Sequence, residues 1–375
     1  MAGIYLHIPY CKQKCTYCDF HFSTNLNSKN EMIQAILKEL ELRKNELEEP
    51  IQTIYFGGGT PSILAPEDLD LIFNQLYKNY NLTQLKEVTL EANPDDLKRD
   101  KLHYFATTPI NRFSIGVQSF FEEDLQLMNR AHNANEAQDC IQLAQDFGFD
   151  NLTIDLIYGS PTTSMEMWQK NLEIATDLNI HHISSYALTV EEKTILDHKI
   201  NKGEIKNVDD QHQSDQFEYL VQFLEAKGFV QYEISNFGQP GYFSQHNSNY
   251  WKGIPYIGIG PSAHSYKGCQ RAWNIANNAQ YIRALKQNEL PLTMEELSPE
   301  DQYNEMMMIG LRTIYGIDVQ TVKNSFNPHI YAHFQQELKE LINEKLVQQI
   351  DDKIVLTKNA KFFADGIASR LFYVD

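Results

Sequence analysis

Residues 11–18 read Cys11-Lys12-Gln13-Lys14-Cys15-Thr16-Tyr17-Cys18, three thiols within one short loop. A four-iron cube asks for four ligands, and this loop offers three. The missing ligand leaves one iron open to a small molecule, whereas a structural zinc site closes its tetrahedron with four protein ligands. No nearby CxxC or HxxxH pair supplies that closure. Two plainer readings stand beside the open cluster: a zinc knuckle completed by His7 or His21, and free thiols. The spacing CxxxCxxC, with an aromatic before the last cysteine, is an uncommon zinc pattern and favours the cluster. Cys140 and Cys269 stand apart. Cys140 aligns with Ala137, Ile141, Ala144 and Phe147 on one helical face and reads as core.

Outward from this loop, residues 3 to 188 alternate short apolar runs with amphipathic segments, the pattern of a parallel sheet with crossover helices. The expected strands are Ile4–Ile8, Ile51–Phe56, Glu87–Glu91, Arg112–Val117, Asn151–Ile157 and His182–Ala187. Pro66 opens a helix that carries Leu69, Ile72, Phe73 and Leu76 on one face. Six such βα units fit a doubly wound sheet or a barrel, complete or partial, and periodicity does not separate them. The polar residues carry more information. Glycines 57 to 59, Glu91, Gln118, Asp155 and Tyr186 fall at or near the C-terminal ends of five strands, where both architectures assemble their sites. Asp155, between Ile154 and Leu156, is a carboxylate in an apolar run and needs a partner.

Beyond residue 189 the spacing predicts a helix around Phe217, Leu220, Val221 and Leu224, closed by Gly228, and a strand at Val230–Ile234. The glycine-, aromatic- and asparagine-rich stretch from Asn236 to Asn274 has no readable period. Ser298-Pro299-Glu300 caps a helix, and the tail reads as helix, helix and a hairpin through Asp351-Asp352, similar to a winged-helix module. With 375 residues and a formal net charge of −18, the chain can bury a large core and is a poor match to a phosphate backbone. The cysteine pattern is no disulfide framework, and a thiolate-held cluster needs a reducing compartment. No leader follows Met1 and no apolar run spans a bilayer, so the expectation is a cytoplasmic protein.

The first strand and loop, Tyr5 to Phe20, resemble the start of a radical S-adenosylmethionine (SAM) protein. Within that superfamily the chain resembles the oxygen-independent coproporphyrinogen III oxidase-like group, and in it the heme-chaperone branch. The resemblance also rests on Phe56-Gly57-Gly58-Gly59-Thr60-Pro61-Ser62, Glu91-Ala92-Asn93-Pro94, Ser114-Ile115-Gly116-Val117-Gln118-Ser119, Asn129-Arg130, Asp155-Leu156-Ile157-Tyr158-Gly159 and His246-Asn247-Ser248-Asn249-Tyr250-Trp251. It implies a radical SAM partial (β/α)6 barrel over residues 1–235, a connecting HNxxYW heme-binding segment over 236–285, and a C-terminal winged-helix-like domain over 286–375.

The same resemblance implies that Cys11, Cys15 and Cys18 hold a 4Fe-4S cluster and that SAM chelates its open iron. Gly58 and Gly59, without side chains, let backbone approach the SAM amino group, with Thr60 beside them. Glu91 and Arg130 neutralise charged parts of the ligand, Asp155 accepts from ribose hydroxyls, Gln118 and Ala187 line the pocket, and Tyr17 packs beside the adenine. Tyr5 joins this cofactor-binding set. His246, which opens HNxxYW, is the implied heme-binding imidazole, with Tyr250 and Trp251 able to flank a flat macrocycle. His181 and His182 carry no comparable context and read as structural.

The implied function is a heme chaperone that passes heme to apo-hemoproteins of respiration. Nucleic acid is no partner on the acidic charge. Room is left for a peripheral membrane contact and for a homodimer. The alternative is an oxygen-independent coproporphyrinogen III oxidase, a radical SAM decarboxylase. Those enzymes carry a segment ahead of the first strand and a further cysteine two residues past the third ligand, where this chain has Phe20. No residue is assigned a catalytic role, and whether the protein turns over a substrate stays open.

Overall fold

The computed structural model describes residues 1–374, so Asp375, the last residue of the expected C-terminal segment, lies outside the described residues. Six strands lie side by side in chain order, every neighbouring pair parallel: β1 (Ala2–Ile8), β2 (Ile51–Gly58), β3 (Glu87–Ala92), β4 (Arg112–Gln118), β5 (Leu152–Tyr158) and β6 (His182–Ala187). This order decides what periodicity left open. A doubly wound sheet reverses its strand order partway, whereas unbroken sequential order is barrel winding. The strands are buried almost end to end, as parallel strands covered on both faces are.

The cover comes from amphipathic helices such as Lys29–Leu42, which turns Met32, Ile33, Ile36 and Leu40 inward, and Pro66–Asn79, with proline in its first turn. Cys140 is buried in helix Ala134–Asp146 beside Ala137, Ile141 and Ala144, in the same continuous core.

The barrel does not close. β7 (Val230–Glu233) and β8 (Asn236–Gly238) pair antiparallel, and β8 lies antiparallel to β6. The chain then crosses to the opposite edge, where β9 (Tyr256–Ile259) runs parallel to β1. β10 (His264–Lys267), β11 (Gln270–Asn274) and β12 (Leu292–Glu296) extend that edge antiparallel, giving a sheet ordered β12-β11-β10-β9-β1-β2-β3-β4-β5-β6-β8-β7. The 236–285 stretch thus supplies strands to both edges of the main sheet.

A second core gathers Tyr303, Met307, Leu311, Phe334, Leu338 and Leu356. It is built from helix Pro299–Arg312, β13 (Ile317–Asp318), helices Val319–Ser325 and Pro328–Asn343, and the hairpin β14 (Val347–Ile350) and β15 (Lys353–Leu356). Its sheet order, β13-β15-β14, is that of a winged helix. Ser298 caps the first helix by accepting from the Asp301 N–H at 3.0 Å, while Asp301 reaches back to the Ser298 N–H at 3.3 Å. Sequence reading missed the two-residue β13, helix Val319–Ser325 and the final helix Ala364–Arg370, each too short to show a period. Arg312 ties this module to the barrel through Glu233 at 2.9 Å, and the Ile234 N–H donates to the Arg312 carbonyl at 3.0 Å.

Candidate functional site

The cysteine loop leaves β1 and is held at the C-terminal mouth of the barrel by its backbone. The Gly59 N–H donates to the Ile8 carbonyl at 2.9 Å and the Thr60 N–H to the Tyr10 carbonyl at 2.7 Å. Gly58 turns the chain there with φ of +103°, a conformation side chains resist. A methyl on Gly59 would stand 2.6 Å from the Tyr10 carbonyl oxygen and 2.8 Å from that of Ile8. The glycine run is therefore what lets the end of β2 press against the start of the loop. On the far side the Thr16 N–H donates to the Met128 carbonyl at 3.1 Å, and Asn129 Nδ2 donates to the Lys14 carbonyl at 2.7 Å. Lys12 is paired with Asp95 and Asp96.

One cavity of about 440 Å³ opens above this loop. Its walls include Cys11, Cys15, Cys18, Tyr17, Gly58, Gly59, Thr60, Glu91, Gln118, Arg130, Asp155 and Ala187. Every residue expected at the cluster and SAM site is there except Tyr5, and strands β2 to β6 each contribute at their C-terminal half or just beyond. Gln118 reaches it from a left-handed backbone, φ +68°, at an irregularity of the β4–β5 register. Arg130 spans the rear: one terminal nitrogen lies 3.2 Å from Cys15 Sγ, and the other donates to Asn93 Oδ1 at 2.7 Å and the Gly116 carbonyl at 2.6 Å.

The charges in this cavity are incompletely met by protein. Burial lifts the Glu91 carboxyl from its ordinary 4.5 to about 7, with the Tyr55 hydroxyl at 2.8 Å opposing and Asp155 adding to the rise. Burial likewise lifts Asp155 from 3.8 to about 7, opposed by Arg130; its Ser114 donor stands 3.5 Å away. Among the described residues the buried Arg130 Nε has no hydrogen-bond partner. Two underserved acceptors and the Arg130 guanidinium border one space, which suits a ligand carrying hydroxyls, an ammonium and a carboxylate.

The cysteines suit a thiolate-held cluster. All three are half-buried on one wall, and burial pushes the Cys11 thiol up and that of Cys18 to about 11, so these two need a metal's charge to ionise them. The residues that would close a zinc tetrahedron are engaged elsewhere. His7 Nε2 sits 2.9 Å from the His21 carbonyl, and His21 Nε2 sits 2.8 Å from Asn278 Oδ1.

His246 lies apart from this cavity. It is 1% exposed on helix Gln245–Trp251, with Nδ1 2.8 Å from Thr53 Oγ1, Nε2 2.8 Å from the Tyr250 hydroxyl, and its ring stacked on Tyr55. Burial pulls its pKa down to about 3. Tyr5 faces a second cavity of about 410 Å³, lined also by Tyr250, Tyr256, His21 and His264, with Phe20, Gly58 and Glu91 as walls common to both cavities. His182 is structural, bonded to Tyr232 and Thr153, and His181 meets Gln239.

Sequence reading passed over Asn93 and Ser114 as cavity-wall residues although each sat in a quoted motif, while Tyr186, placed at the mouth by its strand-end position, does line the cavity. For His264 and Tyr256 the sequence offered no signal.

Among the described residues, no helix is long and apolar enough to cross a membrane. Residues 5–175 match the radical SAM superfamily and residues 297–363 the HemN C-terminal domain. The chain is 34% identical over 355 residues to the heme chaperone HemW of Lactococcus lactis, covering 94% of this chain and 92% of that protein. It is 30% identical to the heme chaperone HemW of Bacillus subtilis, over 98% of each. The solved structure of Escherichia coli coproporphyrinogen III oxidase (HemN), a radical SAM enzyme, superposes with a TM-score of 0.86 over 99% of this chain and 90% of that one; at 21% identity this concerns the fold alone. A three-cysteine loop at the mouth of an open parallel barrel, joined to a winged-helix module and matched along nearly its whole length by these chaperones, places the chain in the HemW heme chaperone family of radical SAM proteins.

Proposed function

We propose that this protein binds heme and delivers it to apo-hemoproteins such as respiratory enzymes, on a scaffold that holds a 4Fe-4S cluster and SAM. The observation that carries the reading is the single cavity in which Cys11, Cys15 and Cys18 meet Glu91, Arg130 and Asp155. In this reading Cys11, Cys15 and Cys18 would hold the cluster as thiolates, and the cluster with bound SAM would supply one-electron cleavage of a carbon–sulfur bond.

The chain's own residues do the rest. Glu91 and Asp155 accept from the ligand's ammonium and ribose hydroxyls and become ionised as they do so. Arg130, held by Asn93 and Gly116, places its positive charge beside the ligand's carboxylate. Gly58 and Gly59 bring backbone to the ligand where any side chain would collide with His7 or Tyr10. Tyr17 and Ala187 supply apolar walls, and Gln118 a polar one.

The test is anaerobic reconstitution followed by two titrations. Four irons and four sulfides per chain, lost on replacing the three cysteines by alanine, together with stoichiometric heme uptake and its transfer to an apo-hemoprotein, support the reading. A stable zinc stoichiometry overturns the cluster. Decarboxylation of coproporphyrinogen without heme uptake overturns the chaperone.

A further inference from the structure

β7 ends the main sheet, and between it and the hairpin β14–β15 lies a third cavity, of about 560 Å³. It shares no residue with the two at the barrel mouth. Phe229, Phe237 and Leu311 are buried in its walls, whereas Ile314 and Ile350, 44% and 53% exposed, leave apolar surface uncovered. Its size and lining are those of a small-molecule site. In a chain with 50 acidic and 32 basic residues, the charges here run the other way: Arg312, Lys358 and Lys361 against Glu225 and Glu233. Arg312 and Glu233 meet at 2.9 Å, and Glu233 also accepts from the Asn236 amide at 2.6 Å. Lys358 is paired with Glu225. Lys361 is left over: its Nζ donates to Gln231 Oε1 at 3.0 Å and, among the described residues, forms no ion pair. Burial pulls this ammonium below its ordinary value, with Glu225 opposing and Lys358 adding to the fall. The two lysines lie three residues apart in the 3₁₀ helix Lys358–Phe363, whose three-residue turn sets them one above the other. Two stacked ammoniums therefore share one carboxylate.

We propose that this cavity binds a small amphipathic monocarboxylate, an acyl anion whose carboxylate joins Lys361 and whose hydrocarbon chain covers Phe229, Phe237 and Ile350. A single unmatched ammonium calls for a single negative charge, whereas a phosphate monoester brings about two near neutral pH. The carboxylate and Lys361 form a charge-assisted hydrogen bond in a partly buried place, and the chain takes the apolar mouth out of water. A peptide laid as an added strand fits less well, because the β7 edge is already taken. The Ile314 N–H donates to the Tyr232 carbonyl at 3.1 Å, and the Ile234 N–H to the Arg312 carbonyl at 3.0 Å. Helix Asp210–Ala226, β7 and β8 supply one side of the cavity and the winged-helix module the other, so an occupied cavity braces the module against the barrel.

The experiment titrates sodium octanoate into the full-length, cluster-loaded protein by anaerobic calorimetry, with acetate and 1-octanol as probes lacking the chain or the charge. One octanoate per chain is expected, with a melting temperature that rises with its concentration and with both other probes at least tenfold weaker. Lys361→Gln removes the charge and should weaken octanoate about ten- to a hundredfold while leaving 1-octanol unchanged. Ile350→Asp, at the exposed mouth, should weaken both by about tenfold. Unchanged iron content and ligand-free melting temperature show that each variant is folded. Absence of saturable octanoate binding, acetate bound as tightly as octanoate, or undiminished affinity in a folded Lys361→Gln overturns the proposal. Should Lys361→Gln not fold, Ile350→Asp decides it, and undiminished octanoate affinity there overturns it equally. An N-acetylated apolar tripeptide with a free carboxylate that binds more than tenfold tighter than octanoate reassigns the cavity to a chain end and overturns the acyl ligand.

Discussion

Replacing Asp155 by asparagine separates what this carboxylate costs the fold from what it does for a ligand. Burial raises its pKa from 3.8 to about 7. A carboxyl raised in the folded chain keeps its proton after the unfolded chain has lost it. The penalty is thus absent below roughly pH 4, grows between about 4 and 7, and is complete above that. A rise from 3.8 to about 7 corresponds to about 4 kcal/mol against the ionised form. Water shares the cavity that Asp155 faces, so about half of this, ~2 kcal/mol, falls on folding near neutral pH. Asparagine keeps the shape and removes the charge. Near pH 8 the ligand-free variant should melt about 3 °C above the unmodified chain, with the two converging near pH 4. Comparison at each pH cancels the contribution of every other titrating group. The same variant loses a charged acceptor, so SAM should bind the cluster-loaded protein about ten- to a hundredfold more weakly. Calorimetry reads both quantities. A variant less stable than its parent near pH 8, or as tight for SAM, refutes the reasoning.

Gly59→Ala places a methyl 2.6 Å from the Tyr10 carbonyl oxygen, and forcing the cysteine loop from the end of β2 should cost about 2 kcal/mol and lower the iron retained after reconstitution. Arg130→Lys replaces a fork that meets Cys15, Asn93 and Gly116 with one ammonium; cluster content should hold while SAM affinity drops about tenfold by isothermal titration. Arg312→Ala leaves Glu233, 1% exposed, without its guanidinium, a loss of about 3 kcal/mol in urea unfolding that Glu233→Gln in the same chain should largely restore.

How much of this was legible in sequence follows from the reach of each signal. β1 to β6 were read to within two residues of each bound because a buried parallel strand is a run of apolar residues followed by a helical period, all local. The cysteine loop was legible for the same reason, its thiols being separated by two or three residues. Glu91, Gln118 and Asp155 were legible through a rule of architecture, since strands wound in order deliver their C-terminal ends to one mouth. The second cavity had no such help. β8 to β10 are three or four residues long, too short for alternation to show. His246 marks the limit most clearly: its motif is visible, yet its ring is held by Thr53, 193 residues earlier in the chain, and that contact is what turns it inward.

The two cavities at the barrel mouth are not independent spaces, because Phe20, Gly58 and Glu91 belong to the walls of both. Gly58 cannot gain a side chain without striking His7, whose imidazole would stand 2.6 Å from the added carbon. Backbone alone is therefore what separates them there. Glu91, poised near neutrality and steadied by Tyr55, carries one charge that both cavities feel. A cation that holds Glu91 ionised from the side of the cysteines presents the same negative charge to the side of His264. Energetic coupling between two sites requires a group that both contact and that has two states close in free energy. A carboxyl with its pKa near 7 at a shared wall meets both conditions, which gives occupancy of the cysteine cavity a physical route to the neighbouring one without any movement of the barrel.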